Sequence, residues 1–81
     1  MKLPRDVSGD GLARGLASLG YEVTRQTGSH LRLTTTQHGE HHVTIPRHPA
    51  LRVGTLAAIM GEVGKHFGME RDELVRRVFG E

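Results

Sequence analysis

Residues 21–36 read Tyr21-Glu22-Val23-Thr24-Arg25-Gln26-Thr27-Gly28-Ser29-His30-Leu31-Arg32-Leu33-Thr34-Thr35-Thr36, two alternating stretches joined by a Gly-Ser turn. Successive side chains of a strand point to opposite faces, so Leu31 and Leu33 go one way and His30, Arg32 and Thr34 the other. Tyr21 and Val23 share a face of the preceding strand by the same rule. Gly28 can accept a positive φ at no steric cost, which suits a tight connection, and the two strands are expected to form an antiparallel hairpin. A polar turn follows at Gln37 to Glu40. Then His41 to Ile45 alternates again, with Val43 and Ile45 inward, His42 and Thr44 outward, and Pro46 stopping the strand.

Helical spacing frames these strands. Leu12, Ala13, Leu16, Ala17 and Leu19 draw one apolar stripe, Ser8 is a good N-cap candidate, and Gly20 suits a left-handed helix end. After a loop from Arg47 to Val53, the pair Gly54-Thr55 starts a second helix, along which Leu56, Ile59, Met60, Val63 and Phe67 recur as core. Gly61 and Gly64 weaken that helix by on the order of 1 kcal/mol each relative to alanine, which implies close packing or fraying. Gly68 closes it, and Met69 to Phe79 supplies a last helix with Leu74, Val75 and Val78 apolar. The expected fold class is α+β: a helix, a three-stranded antiparallel sheet, then two helices, all on one sheet face. Double-stranded RNA-binding domains share the helix-then-sheet arrangement.

The whole chain, residues 1–81, reads as one domain, with 65–81 a C-terminal helical extension. A chain of this size buries only about 60–65% of its unfolded surface, which leaves room for one modest core. With no cysteine, disulfides, thiol nucleophiles, iron–sulfur clusters and thiolate zinc sites are excluded. The longest apolar run, Leu56 to Met60, is far short of the about 20 residues a membrane helix needs. Met1 to Asp6 lacks the apolar stretch of a signal peptide, so a cytoplasmic location is expected. The formal charge is only +2, yet between Tyr21 and Val53 four arginines, Arg25, Arg32, Arg47 and Arg52, face just Glu22 and Glu40. Nine of the eleven basic residues are arginines, whose planar fork matches phosphate oxygens.

Five of the six histidines lie in that same middle segment. His30 combines a turn-anchored backbone with a position on the solvated sheet face beside Arg32, so an imidazole that exchanges protons near neutral pH stands next to an anion-binding group. Ser29 is expected to satisfy turn backbone groups and not to act as a nucleophile, because no Ser-His-Asp set is visible. His41 and His42 point to opposite faces of one strand and cannot easily share an ion, so no metal site is expected in His38-Gly39-Glu40-His41-His42. Gly61-Glu62-Val63-Gly64 has the spacing of the KH-domain loop but lies inside a helical stretch, which argues against that reading.

Three segments in order resemble the HicA family of toxin–antitoxin mRNA interferases: Leu16-x-x-Leu19-Gly20-Tyr21, Gln26-x-Gly28-Ser29-His30, and Ile45-Pro46-x-His48-x-x-Leu51-x-x-Gly54-Thr55-Leu56-x-x-Ile59. The resemblance runs from Ser8 through Phe79. It implies a fold similar to a double-stranded RNA-binding domain, cleavage of mRNA, neutralisation by a HicB-like antitoxin, and a catalytic histidine in the Gly-Ser-His turn, His30 here. The chain departs from many members by continuing past Gly64 into a further helix, and by carrying Leu31 and Leu33 where relatives often have an aromatic residue.

Cleaving RNA without a metal needs a base for the ribose 2′-hydroxyl, donors for the crowded phosphate and an acid for the leaving 5′-oxygen. The expected arrangement gives His30 the base role, with Arg32 or Arg47 and the turn amides near Gly28 and Ser29 on the phosphate, and a 2′,3′-cyclic phosphate product. Arg25 is a further candidate RNA contact. For the acid, His42 on the same predicted face comes first and His48 in the neighbouring loop second. No cofactor is expected. Two alternatives stay open on the residues: a non-catalytic RNA-binding module, and a protein-interaction domain using the open sheet face.

Overall fold

A computed structural model of the chain describes residues 3–80. Helix α1, Gly9–Leu16, is started by Ser8, whose Oγ accepts from the Gly11 amide at 2.9 Å. This satisfies one of the donors that a helix start leaves unpaired. The helix tightens into a 3₁₀ turn, Ala17–Leu19, and Gly20 reverses the chain in the left-handed region at φ 82°. Three strands follow: β1 Glu22–Gln26, β2 His30–Thr35 and β3 His41–Pro46, antiparallel in the order β1-β2-β3. Helix α2 spans Val53–Phe67 and α3 spans Arg71–Phe79. The fold is α+β, consistent with a double-stranded RNA-binding-like arrangement, with helices on one sheet face and the other face open.

The alternation in β2 and β3 sorts as expected. Leu31, Leu33, Val43 and Ile45 are buried, whereas His30, Arg32, His42 and Thr44 are exposed. Leu12, Leu16 and Leu19 join Leu56, Ile59, Met60, Val63 and Phe67 in one core cluster with these strand residues. Thr35 is the buried polar side chain among the described residues. Its Oγ1 donates to the Leu19 carbonyl at 2.8 Å and accepts from the Gln37 amide at 3.1 Å, so its burial leaves no polar group unpaired.

Strand β1 departs from simple alternation. Val23 lies opposite buried Leu33 and so faces the core side, yet it is 48% exposed because the helices do not reach this sheet edge. The register then shifts by one residue at Thr24, and Arg25 comes to lie opposite Arg32. An extra residue of this kind re-aims the side chains that follow it, and here it turns Arg25 onto the open face.

Three expectations about turns and helix starts need correction. Gly28 is not among the residues with positive φ, so the first hairpin turn does not use the left-handed freedom of glycine. In the second turn His38 and Gly39 do, at φ 58° and 95°. Helix α2 begins at Val53, one residue before the Gly-Thr pair, with Arg52 as N-cap and no side-chain cap. Helix α3 begins at Arg71, two residues later than its apolar spacing suggested, after Glu70 as N-cap.

Helix α3 shares the core with the rest of the chain: Leu74, Val75 and Val78 are buried in the same cluster. It crosses α1 so closely that a Cβ on Gly15 would lie 2.4 Å from the Val78 carbonyl oxygen, so glycine at 15 is what lets the two backbones approach. Gly64 is also in a close contact, since its Cβ would meet the Met69 carbonyl at 3.1 Å, while Gly61 borders open space. No described helix is long and apolar enough to cross a membrane.

Candidate active site

His30 opens β2, and its surroundings fix it at the backbone first. The Thr27 amide donates to the His30 carbonyl at 3.0 Å, and the His30 amide donates to Thr27 Oγ1 at 3.2 Å. From the residue just after β3, the Arg47 amide donates to the Ser29 carbonyl at 2.9 Å. The side chain is held too: Ser29 Oγ lies 3.0 Å from His30 Nδ1, and Nε2 has no protein partner among the described residues. When Nδ1–H donates to the serine hydroxyl, the lone pair of the neutral ring sits on Nε2, where a general base needs it.

The imidazole borders a cleft of about 650 Å³. Its sheet side is His30, Thr44 and Pro46; its helix side is Arg52, Gly54 and Thr55, with Ala58 and Ile59 as an apolar wall. None of these residues carries a carboxylate. The first turn of α2 has no acidic residue either, so the positive end of the helix faces this neighbourhood without compensation. Arg52 has no ion-pair partner among the described residues. The cleft combines a titratable ring, a free guanidinium and two threonine hydroxyls, a set suited to an anionic, hydroxyl-rich ligand.

The other candidates separate into those near this cleft and those held elsewhere. Arg32 lies two residues from His30 along β2, about 7 Å away by strand rise, on the open face. Arg25 lies beside it through the β1 register shift. Two guanidinium groups directly opposite each other are unfavourable unless an anion lies between them. Thr24 Oγ1 and Thr34 Oγ1, 2.9 Å apart, continue this polar face. Arg47 turns away. Its Nε and Nη2 donate to the two carboxylate oxygens of Asp10 at 3.1 and 3.2 Å, and that guanidinium holds the Asp10 carboxyl below its ordinary pKa.

The two histidines expected to supply an acid are not brought to His30 in the same way. His42 lies opposite Thr34, four residues along β2 from His30, or about 13 Å by strand rise. Both its ring nitrogens are engaged, Nδ1 with Thr34 Oγ1 at 2.7 Å and Nε2 with Glu40 Oε2 at 2.8 Å. Sharing a face with His30 therefore does not make it a partner for His30. His48 follows Pro46, which lies opposite His30, by two residues; its carbonyl accepts from the Gly9 amide at 3.0 Å, and its ring is exposed outside the cleft lining.

Sequence reading missed Arg52, Thr44, Gly54 and Thr55 as neighbours of His30. Gly54 and Thr55 did stand out in the chain, and Arg52 is the one middle-segment arginine that had been given no role. Thr44 is already on β3, whereas Arg52, Gly54 and Thr55 reach His30 through the placement of α2 beside β3, a tertiary fact that no local pattern encodes.

A second histidine cluster occupies the opposite end of the sheet. His41 and His66 stack with ring centroids 4.4 Å apart, the Tyr21 hydroxyl lies 2.7 Å from His41 Nδ1, and His66 Nε2 donates to the Gln37 and Gly39 carbonyls at 2.9 and 3.1 Å. Phe67 packs edge-on against Tyr21, His38 and His66. Burial and the neighbouring His66 hold His41 below the usual imidazole pKa, and burial pushes Tyr21 up to about 12. The cluster knits the second turn to the end of α2.

No curated protein and no solved structure gives a significant match to the chain. The family model for the HicA toxin of bacterial toxin–antitoxin systems matches residues 9–65, from the first residue of α1 to within two residues of the end of α2, and takes in the whole sheet and the cleft. With well over half of its length matched, the chain belongs to the HicA toxin family.

Proposed function

We propose that this toxin is an mRNA endoribonuclease of the cytoplasm, that His30 is its catalytic base, and that a HicB-like antitoxin neutralises it by covering the cleft and the open sheet face. The observation that carries the reading is His30 itself: Nδ1 set against Ser29 Oγ at 3.0 Å, the ring bordering a carboxylate-free cleft, and Nε2 left for substrate. In the reaction His30 Nε2 takes the proton of a ribose 2′-hydroxyl, that oxygen attacks the adjacent phosphorus, and the bond to the 5′-oxygen breaks. The products are a 2′,3′-cyclic phosphate and a 5′-hydroxyl, and no metal or other cofactor is needed.

Around the base, the turn amides near Gly28 and Ser29 stabilise the crowded phosphate, and Arg32 and Arg25 carry the RNA chain on across the open face. Arg47 adds positive potential at the rim, reduced by its pairing with Asp10. His48 takes the acid role in this reading, because His42 stands about 13 Å off with both nitrogens occupied.

Mapping the ends of RNA fragments made by the purified protein in chelator tests the reaction. Cyclic phosphate and 5′-hydroxyl ends are expected; 5′-phosphate ends would require water as the nucleophile and a different mechanism. The adjacent Arg25 and Arg32 also support a second reading, a module that binds RNA without cutting it. Salt-dependent binding with intact RNA is the result that would favour it.

A further inference from the structure

Resting on the ribonuclease reading, we propose that the cleft between β3 and the start of α2 is a subsite for one nucleotide of the RNA chain, its phosphate held by Arg52 and its base lying on Pro46 and Ala58.

The cleft volume of about 650 Å³ falls within the range of about 300–1,000 Å³ typical of small-ligand sites. Its lining combines the apolar and the polar chemistry that a nucleotide carries. Pro46 and Ala58, backed by the buried Ile59, offer an apolar surface to a base, which compensates for a chain with only three aromatic residues. Arg52 stands at the helix entrance, without a carboxylate among the lining residues to compete for it. Thr44 and Thr55 bring hydroxyls that donate and accept, the complement of a ribose hydroxyl or a base edge.

The remaining middle-segment arginines serve other places. Arg47 gives two of its donors to Asp10, and Arg25 and Arg32 lie on the open face outside the cleft lining. Arg52 is therefore the guanidinium placed to fix a phosphate in the same open cleft as His30. It binds substrate; proton transfer stays with the histidine.

The test is an amide-resolved NMR titration of the full chain with inorganic phosphate and with each of the four ribonucleoside 3′-monophosphates, for the wild type, Arg52→Gln, Arg52→Lys and Ala58→Leu. Shifts are expected at His30, Arg52 and Thr55, with at least one nucleotide binding more tightly than phosphate. Arg52→Gln should weaken nucleotide binding by about 10-fold or more, as expected for loss of a charge-assisted contact, and Arg52→Lys should restore part of it. Ala58→Leu narrows the apolar wall and should weaken nucleotides more than phosphate. In parallel, Arg52→Gln should lower the salt-dependence slope of single-stranded RNA binding by about 0.7.

Nucleotide affinity unchanged in Arg52→Gln, or shifts confined to the open sheet face, overturns the subsite. A wild type that binds nucleotides in the cleft yet leaves RNA intact overturns the ribonuclease reading and leaves the subsite standing.

Discussion

Arg47 gives one edge of its guanidinium to both carboxylate oxygens of Asp10, Nε to Oδ1 at 3.1 Å and Nη2 to Oδ2 at 3.2 Å, and so ties the loop after β3 to the first turn of α1. The pair is solvent-exposed, so screening limits its contribution. Because Asp10 is held below its ordinary 3.8, its stabilising effect is present above that value and lost as pH falls through the lower folded value. Urea unfolding of the wild type and Asp10→Asn should differ at pH 6 and converge toward pH 3. A gap that stays constant with pH would assign the effect to packing.

Gly28 lies outside the positive-φ region, and a Cβ there would meet nothing within 4 Å. Gly28→Ala should therefore leave the fold intact and stabilise it by ~0.4–1 kcal/mol through the unfolded chain. Urea midpoints measure this. A large destabilisation would mean that the turn depends on glycine after all.

Leu74 is 1% exposed and sits where α3 joins the core shared by α1 and α2. Truncating it to alanine should cost about 2–5 kcal/mol, a large part of the stability of a domain this size. The same urea experiment reads it. A cost below about 1 kcal/mol would mark α3 as an appendage outside the cooperative core.

The cluster at the far end of the sheet predicts losses of stability at both pH extremes. Burial first and Glu62 second raise Tyr21 to about 12, so its contribution is complete below pH 10 and lost as pH climbs to about 12. His41 is lowered by burial and by His66 and His42, against an opposing pull from Glu62, so its neutral form stabilises the fold above 6.5 and that gain fades as pH drops below 6.5. Tyr21→Phe should remove the alkaline loss, and His41→Gln should flatten the slope below pH 6.5. Unchanged pH profiles in these variants would contradict the account of this cluster.

Much of the fold could be read from residue order because local signals agreed with one another. Ser8 caps α1, Gly20 ends the helical segment, and the leucines of β2 and isoleucine of β3 pick the core face. The register shift at Thr24 escaped notice since Tyr21-Glu22-Val23-Thr24 reads as uninterrupted alternation, and only pairing with β2 exposes the extra residue. Alternation also assigns a face without assigning a distance. That is why His42 seemed a natural partner for His30 and stands about four residues away in the sheet. The Gly-Ser-His turn was legible as chemistry, and the second wall of its cleft was not, because Arg52 and Thr55 reach it only through the packing of α2.

Single-turnover cleavage of an unstructured RNA in chelator, comparing the wild type with a folded His30→Ala variant, tests the central claim most directly. The account predicts that the variant loses about 10²- to 10⁴-fold in rate while still binding RNA. Equal rates in the two proteins would remove His30 from the chemistry and contradict it.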